Sequence, residues 1–248
     1  CIGETEFVNG VAAMSRSGLY GQTRLCTGIF STADLRLGDK AEGVLEAHLQ
    51  ASSNFRGIRS AFPADLNDTF QTGFSLLEKY SLSYDNWSPD FTRLPRLADL
   101  ANQNEGITVI VNHLGGKIDP DANEEEISEW RSAIDAVAAC SNTVMKLGGA
   151  QMRVGEWEPP YHMHQTESPW DSDALLKALL PRYQYAFEKF GPDRCMFESN
   201  FPVDKDCVSY RTLWNLFKKM ADRLGLSDSE KQSVFSGTAA KAYRLEAP

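Results

Sequence analysis

The chain has 248 residues, of which 42% are hydrophobic and 24% are charged. This composition excludes a disordered chain, and the length is sufficient for one large core or two small ones. With 34 acidic residues against 25 basic ones, the net charge is −9. An acidic surface repels phosphate, which argues against nucleic acid as a partner.

Cysteine spacing and hydropathy indicate the cellular compartment and whether the chain contacts a membrane. The five cysteines are widely spaced and form no CxxC pair, which indicates reduced thiols in a cytoplasmic protein. No apolar run approaches the length of a membrane span, so we expect no membrane association.

Short apolar runs alternate with amphipathic stretches along the chain, which predicts alternating strands and helices. The predicted strands are residues 23–30, 57–62, 81–87, 107–114, 143–148 and 195–200. The predicted helices are residues 42–51, 93–102, 124–139, 174–190, 210–224 and 228–243.

This alternation predicts an α/β fold with a parallel sheet. Six strand–helix units without a glycine-rich phosphate loop favour a (β/α)8 TIM barrel over a doubly wound sheet. We interpret residues 1–248 as one barrel domain that is incomplete at its N-terminus. The first strand of the barrel is expected to precede Cys1.

Polar residues stand near the carboxyl ends of the predicted strands, where barrel enzymes place their catalytic groups. Each one alone is more often a paired core residue, but several at the same end of successive strands favour a site. Five strand ends carry such a group: Arg59, Asp85, His113, Lys146 and Asn200.

Strand alternation predicts which of these side chains share a face. His113 is expected on the face of Val109 and Val111, at the end of an apolar row. Glu198 is expected on the face of Asn200, one layer below the amide.

A second constellation is the pair His162 and His164, whose HxH spacing allows two imidazoles on a strand to bind one metal ion. The pair follows two prolines and precedes a polar stretch, which predicts a long loop. A solvated loop is therefore the preferred interpretation, with a metal or substrate contact as the alternative.

Several motifs resemble one known family. VNHLGG at 111–116, VMKLGG at 144–149 and FGPDRCMFESNFP at 190–202 are similar to motifs of the amidohydrolase-related family, the "amidohydrolase 2" branch of the TIM-barrel metal-dependent hydrolases. FRGIR at 55–59 and the closing segment 236–245 fit the same pattern. The resemblance covers residues 23–245 and is most specific at 190–202.

The resemblance implies a hydrolase acting on a C–O or C–N bond, and the lactonase group has the most similar spacing. It also implies a first-strand HxH pair, which would precede Cys1, and it matches His113 to the family's fifth-strand histidine. The family's late aspartate corresponds to Asn200 here, and an amide is a poor proton acceptor. Glu198 or Asp204 could supply the missing carboxylate.

We therefore predict a hydrolase that cleaves a lactone or amide of a small, anionic substrate with activated water. A decarboxylase on the same scaffold and a metal-free binding barrel without catalysis are the alternatives. Two alternatives stay open for the cofactor: a divalent metal, zinc or manganese, or a metal-free mechanism. A homo-oligomer is compatible with the sequence, which fixes no symmetry.

Each predicted site residue has an expected role. His113 is the metal ligand or polarising group, Glu198 is the alternative carboxylate, and Asn200 orients water or substrate. The predicted substrate-binding residues are Arg59, Lys146 and Asp85.

Overall fold

The computed structural model describes residues 2–117, 122–150 and 170–245. Six strands of this part form one parallel sheet in which each strand pairs with the next along the chain. Within the described residues the sheet is open between its first and last strands. The strands are β1 (Ile29–Ser31), β2 (Phe55–Ala61), β3 (Ser83–Trp87), β4 (Val109–Val111), β5 (Thr143–Leu147) and β6 (Cys195–Phe197).

A helix follows each of these strands, as a parallel sheet requires. The last two helices are joined by a π-helical turn, Ser233–Gly237. Across the described ranges, no helix combines the length and the apolar character needed to cross a membrane. The helices are α1 (Ile2–Arg16), α2 (Ala41–Ala51), α3 (Asp68–Lys79), α4 (Leu94–Gln103), α5 (Glu124–Ala138), α6 (Ser172–Phe190), α7 (Tyr210–Arg223), α8 (Asp228–Gln232) and α9 (Thr238–Ala242).

The sheet has two unlike faces. Right-handed crossovers between neighbouring strands place their helices on one side, which we call the outer face. There the ring of Tyr84 meets that of Phe74 from α3 edge-on, with the ring centroids 5.1 Å apart. On the opposite side, the inner face, Ile110 and Met196 pack against Ala242 of α9. This small apolar contact leaves room on the inner face for polar side chains at the carboxyl ends of the strands.

The opposite, amino ends of the strands are joined by side chains that bond to backbone carbonyls. The amide nitrogen of Asn142 donates to the carbonyl oxygens of Ala101, Asn104 and Ile107 at 3.0, 3.0 and 2.9 Å. Arg194 donates to two carbonyls at the end of α5 at 2.8 and 2.9 Å. These bonds fix where β4, β5 and β6 begin.

The predicted strands are confirmed in number and order, but several are shorter than predicted. The prediction for residues 23–30 is wrong at its start, because Cys26 has φ +55° and an extended strand cannot pass through that conformation. The run 107–114 ends at Val111, because His113 and Leu114 have φ +52° and +57°. The last strand likewise ends at Phe197 rather than residue 200.

Two helices were not predicted. In α1 the buried face consists of Thr5, Ala12 and Ser15, so no apolar stripe marks it in the sequence. In α3 the signal was present, because Phe70 and Phe74 are one turn apart and both are buried.

Candidate active site

Most of the predicted site residues lie together at the carboxyl end of the inner face. Arg59 on β2 is directly paired with Asp85 on β3, so both side chains point the same way. Lys146 comes from β5, and Glu198 follows β6 directly. His113, in the turn after β4, lies among them.

His113 connects Arg59 to Glu198. Its side chain is 1% exposed, and its Nε2 accepts a hydrogen bond from Arg59 Nη2 at 3.1 Å. Its Nδ1 lies 2.5 Å from Glu198 Oε1, although the two atoms lack the alignment of a hydrogen bond. Because Nε2 accepts, the proton of the neutral ring is on Nδ1, where it faces the carboxylate.

The strand alternation predicted for His113 is wrong. Val109 and Val111 belong to the outer core, whereas His113 reaches the inner-face site. The left-handed backbone at His113 takes the chain out of the strand and redirects the side chain. An argument from alternation cannot detect such a change of direction.

Trp87 is a further member of the site. Its ring meets His113 edge-on with centroids 5.1 Å apart, and the Arg59 guanidinium lies 5.9 Å from its centroid. Trp87 stands two residues after Asp85 on β3, and this spacing could have indicated a shared face.

Lys146 forms a buried ion pair on the inner face. Its Nζ lies 2.8 Å from Asp85 Oδ2 and 3.9 Å from Glu198 Oε2, and its side chain is 11% exposed. Burial lowers the pKa of Lys146, but the negative charges of Asp85 and Glu198 outweigh burial and raise the pKa overall. The side chain is therefore an ammonium ion at neutral pH.

Glu198 is a carboxylate for a related reason. Burial raises its pKa, but the contact with His113 and the positive charges of Lys146 and Arg59 outweigh burial and lower the pKa to about 2. The carboxylate therefore stays ionised beside His113 throughout the neutral range.

Two glycines after β5 make room for this arrangement. A Cβ atom on Gly148 would come closer than 3.0 Å to the backbone carbonyl of Glu198. A Cβ atom on Gly149, where φ is +71°, would meet the His113 ring at a similarly prohibitive separation. The Gly-Gly pair thus allows Glu198 and His113 to meet.

Tyr243 brings the closing segment of the chain to the site. Its hydroxyl donates to Asp85 Oδ1 at 3.4 Å, and its ring centroid lies 5.6 Å from Lys146 Nζ. Burial and the charge of Asp85 raise the pKa of Tyr243, although Lys146 opposes them. Tyr243 is 158 residues from Asp85 in the chain, so no local pattern indicates this contact.

Asn200 lies slightly apart from these residues. Its amide nitrogen donates to Asp204 Oδ1 at 2.6 Å, and Asp204 is fully buried. In the described part of the chain, the Asn200 amide therefore bonds to Asp204 rather than to His113 or Glu198. The predicted histidine pair, His162 and His164, lies outside the described residues.

A cleft of about 280 Å³ opens beside Arg59 and Trp87. Glu4, Phe30 and Thr32 also line it. A small polar molecule could therefore approach the guanidinium end of the Arg59–His113–Glu198 chain.

Comparison with known proteins identifies relatives. The sequence profile of the amidohydrolase family matches residues 26–245. The uncharacterised protein y4mH of Sinorhizobium fredii is 32% identical over 257 residues, which cover 98% of this chain and 75% of that protein. The L-fucono-1,5-lactonase of Burkholderia multivorans is 27% identical over 229 residues, covering 87% and 70%.

A solved amidohydrolase structure from Burkholderia multivorans with bound zinc is similar to this chain. The TM-score is 0.73 at 23% identity, covering 95% of this chain and 79% of the other. This likeness confirms the predicted α/β barrel fold class, and the profile match confirms the resemblance found in the motifs.

Because that similar structure holds zinc, we tested whether the residues described here fit a metal ion. Protein zinc sites use three or four side-chain ligands. Within residues 2–117, 122–150 and 170–245, no three His, Cys, Asp or Glu side chains are grouped to hold a metal ion. His113 and Glu198 are in contact, but Nε2 of His113 is bonded to Arg59, and Lys146 contacts Glu198. The described residues therefore do not fit a divalent metal, and the ligand role of His113 stays a prediction.

Proposed function

The chain belongs to the amidohydrolase family, and we propose that it is a hydrolase that opens a lactone with water activated at His113. The observation that carries this proposal is the continuous chain of contacts from Arg59 through His113 to Glu198. It places a cation, an imidazole and a carboxylate side by side at the carboxyl end of the sheet.

Glu198 and His113 would act as a proton-accepting pair. The carboxylate faces Nδ1 and stabilises the tautomer that carries its proton there, which leaves Nε2 as the basic nitrogen. When Nε2 takes a proton from water, the adjacent carboxylate stabilises the resulting imidazolium.

Arg59 would bind the oxygen on which negative charge develops. In the structure its guanidinium donates to His113 Nε2. A substrate carbonyl oxygen that accepts this bond instead would free Nε2 for the attacking water and would be stabilised as an oxyanion. The water oxygen then bonds to the carbonyl carbon, and the ring C–O bond breaks. The proton returns from His113 to the leaving alkoxide, which yields a hydroxy acid.

The proposed substrate is a small lactone with a carboxylate or several hydroxyl groups. The size of the cleft and the guanidinium of Arg59 in its lining support this, as does the similarity to the L-fucono-1,5-lactonase of Burkholderia multivorans. Lys146 is ion-paired with Asp85, so the proposal assigns substrate binding to Arg59 rather than to Lys146. The predicted role of Asn200 in orienting water or substrate, and the cytoplasmic location, stay part of the proposal.

The test is a panel of five- and six-membered lactones, including L-fucono-1,5-lactone, with acid release followed by a pH indicator. We expect turnover of at least one lactone and a loss of about 10²–10⁴-fold in kcat/KM in His113→Gln. His48→Gln, which changes a buried histidine of α2 that bonds to Thr5 of α1, is the matched control and should retain kcat.

Two results would contradict the proposal. Full activity in His113→Gln would remove the imidazole from the mechanism. Release of carbon dioxide without net hydrolysis would instead favour the decarboxylase.

A further inference from the structure

We propose that the ammonium group of Lys146 is the resident cation of the inner-face site and takes the place beside Asp85 and Glu198 that a divalent metal would need. The proposal concerns metal binding alone and does not depend on the proposed hydrolysis. It explains why the described residues of a chain in this family do not fit zinc.

The first argument is position. Lys146 Nζ lies 2.8 Å from Asp85 Oδ2 and 3.9 Å from Glu198 Oε2. One cation is therefore paired with a carboxylate on β3 and with a second carboxylate directly after β6. The Asp85 and Lys146 side chains are 3% and 11% exposed, which leaves little access for a competing ion. A divalent ion that bridged these two carboxylates would require the ammonium to leave.

The second argument is that the remaining donor atoms are already engaged. Asp85 Oδ1 accepts from the Tyr243 hydroxyl at 3.4 Å. Glu198 Oε1 lies against His113 Nδ1, and His113 Nε2 accepts from Arg59 at 3.1 Å. A metal would have to displace several of these partners, because each of these atoms already faces a cation or a donor.

The third argument is charge. Asp85 and Glu198 contribute two negative charges, and Lys146 neutralises one of them at close range. Removing the lysine charge would leave Asp85 and Glu198 without the cation that both now face. Carboxylate oxygens and imidazole nitrogens are ligands that zinc accepts. Loss of Lys146 should therefore create a metal site.

The experiment compares zinc binding by the purified protein and by Lys146→Met with isothermal titration calorimetry, with circular dichroism as the check on folding. We expect no zinc uptake at this site in the wild type. Lys146→Met should gain one zinc per chain, with an affinity at least about tenfold higher than any wild-type binding. Lys79→Met, which removes a surface ion pair with Glu42, is the matched control and should behave as wild type.

A double variant, Lys146→Met with Glu198→Gln, assigns the gained ion to this site, because it should lose the new binding. Two outcomes would overturn the proposal. One is stoichiometric zinc binding by the wild type that His113→Gln abolishes, a result that needs no Lys146 variant to fold. The other is a folded Lys146→Met protein that gains no zinc. Neither readout uses a substrate, so a failure of the lactonase proposal leaves this test intact.

Discussion

Tyr84 and Asp85 are neighbours on β3 that point to opposite faces of the sheet, and both are buried, at 0% and 2% exposure. Tyr84 packs against the helices of the outer face, whereas Asp85 pairs with Lys146 on the inner face. Burial alone therefore does not distinguish the two faces. The partners of the buried side chains distinguish them. On the outer face, each apolar contact contributes to stability independently of the others. On the inner face, each buried charge requires an opposite charge nearby to offset the cost of its desolvation. The outer face should carry stability, and the inner face should carry chemistry and pH dependence.

The largest expected effect on stability lies on the outer face. Phe74 is fully buried, and its replacement in Phe74→Ala leaves a cavity beside Tyr84. We expect a loss of about 3–5 kcal/mol in the free energy of unfolding, measured by urea denaturation, with kcat unchanged for the folded protein. Phe7→Ala is the control, since Phe7 is 73% exposed and should change stability by less than about 0.5 kcal/mol. A large loss of kcat in folded Phe74→Ala would show that the two faces are coupled.

Glu198 gives the inner face a distinct pH dependence. Its folded-state pKa of about 2 lies below the usual value of about 4.3, so ionised Glu198 stabilises the fold above the unfolded pKa. That contribution is lost as the pH falls through the folded pKa. Between about pH 4.5 and pH 2, wild type should lose up to about 3 kcal/mol that Glu198→Gln lacks. Urea denaturation of both proteins across this range measures the difference, and a difference independent of pH would contradict the assignment.

A substitution at Gly148 tests the close approach between this glycine and Glu198. In Gly148→Ala the new Cβ must displace the backbone at Glu198, which should cost about 1–3 kcal/mol and lower lactone turnover. Gly43→Ala is the matched control, because Gly43 lies in α2 with nothing within 4 Å of its added Cβ. That control should gain up to about 1 kcal/mol, measured by thermal and urea denaturation. Equal effects of the two substitutions would contradict the steric role of Gly148.

The smallest effect is expected for Tyr243→Phe. The substitution keeps the ring beside Lys146 and removes only the long hydrogen bond to Asp85. We expect a loss of about 0.5–1 kcal/mol in stability and no change in the set of lactones hydrolysed. A loss of several kcal/mol would show that the hydroxyl is a central member of the ion-pair network.

The sequence was sufficient to place most of the site on strand ends. Arg59, Asp85 and Lys146 follow directly from the strand pattern, because strands of a parallel sheet end at the same edge. The contact between His113 and Glu198 could not be derived in this way. It depends on a left-handed turn and on a glycine pair whose effect appears only once β5 and β6 are paired.

The helices that were predicted differ from helix α1 in how they contact the rest of the protein. Helices with an apolar stripe, such as α5 and α7, were predicted to within a residue or two. Helix α1 was missed, because it buries hydroxyl groups that hydrogen-bond to the rest of the protein, as Thr5 does to His48 at 2.8 Å. A pattern based on hydrophobicity does not detect a helix held by polar contacts.

The bonds that Asn142 and Arg194 make to backbone carbonyls have a consequence for redesign. They hold the strands in register at the edge of the sheet opposite the chemistry. The loops that follow the strands could therefore be exchanged for loops of other sequence while the scaffold keeps its alignment. A library that varies the segment after Glu198, which follows β6, and leaves Asn142 and Arg194 intact would be a sensible starting point for new substrate preferences.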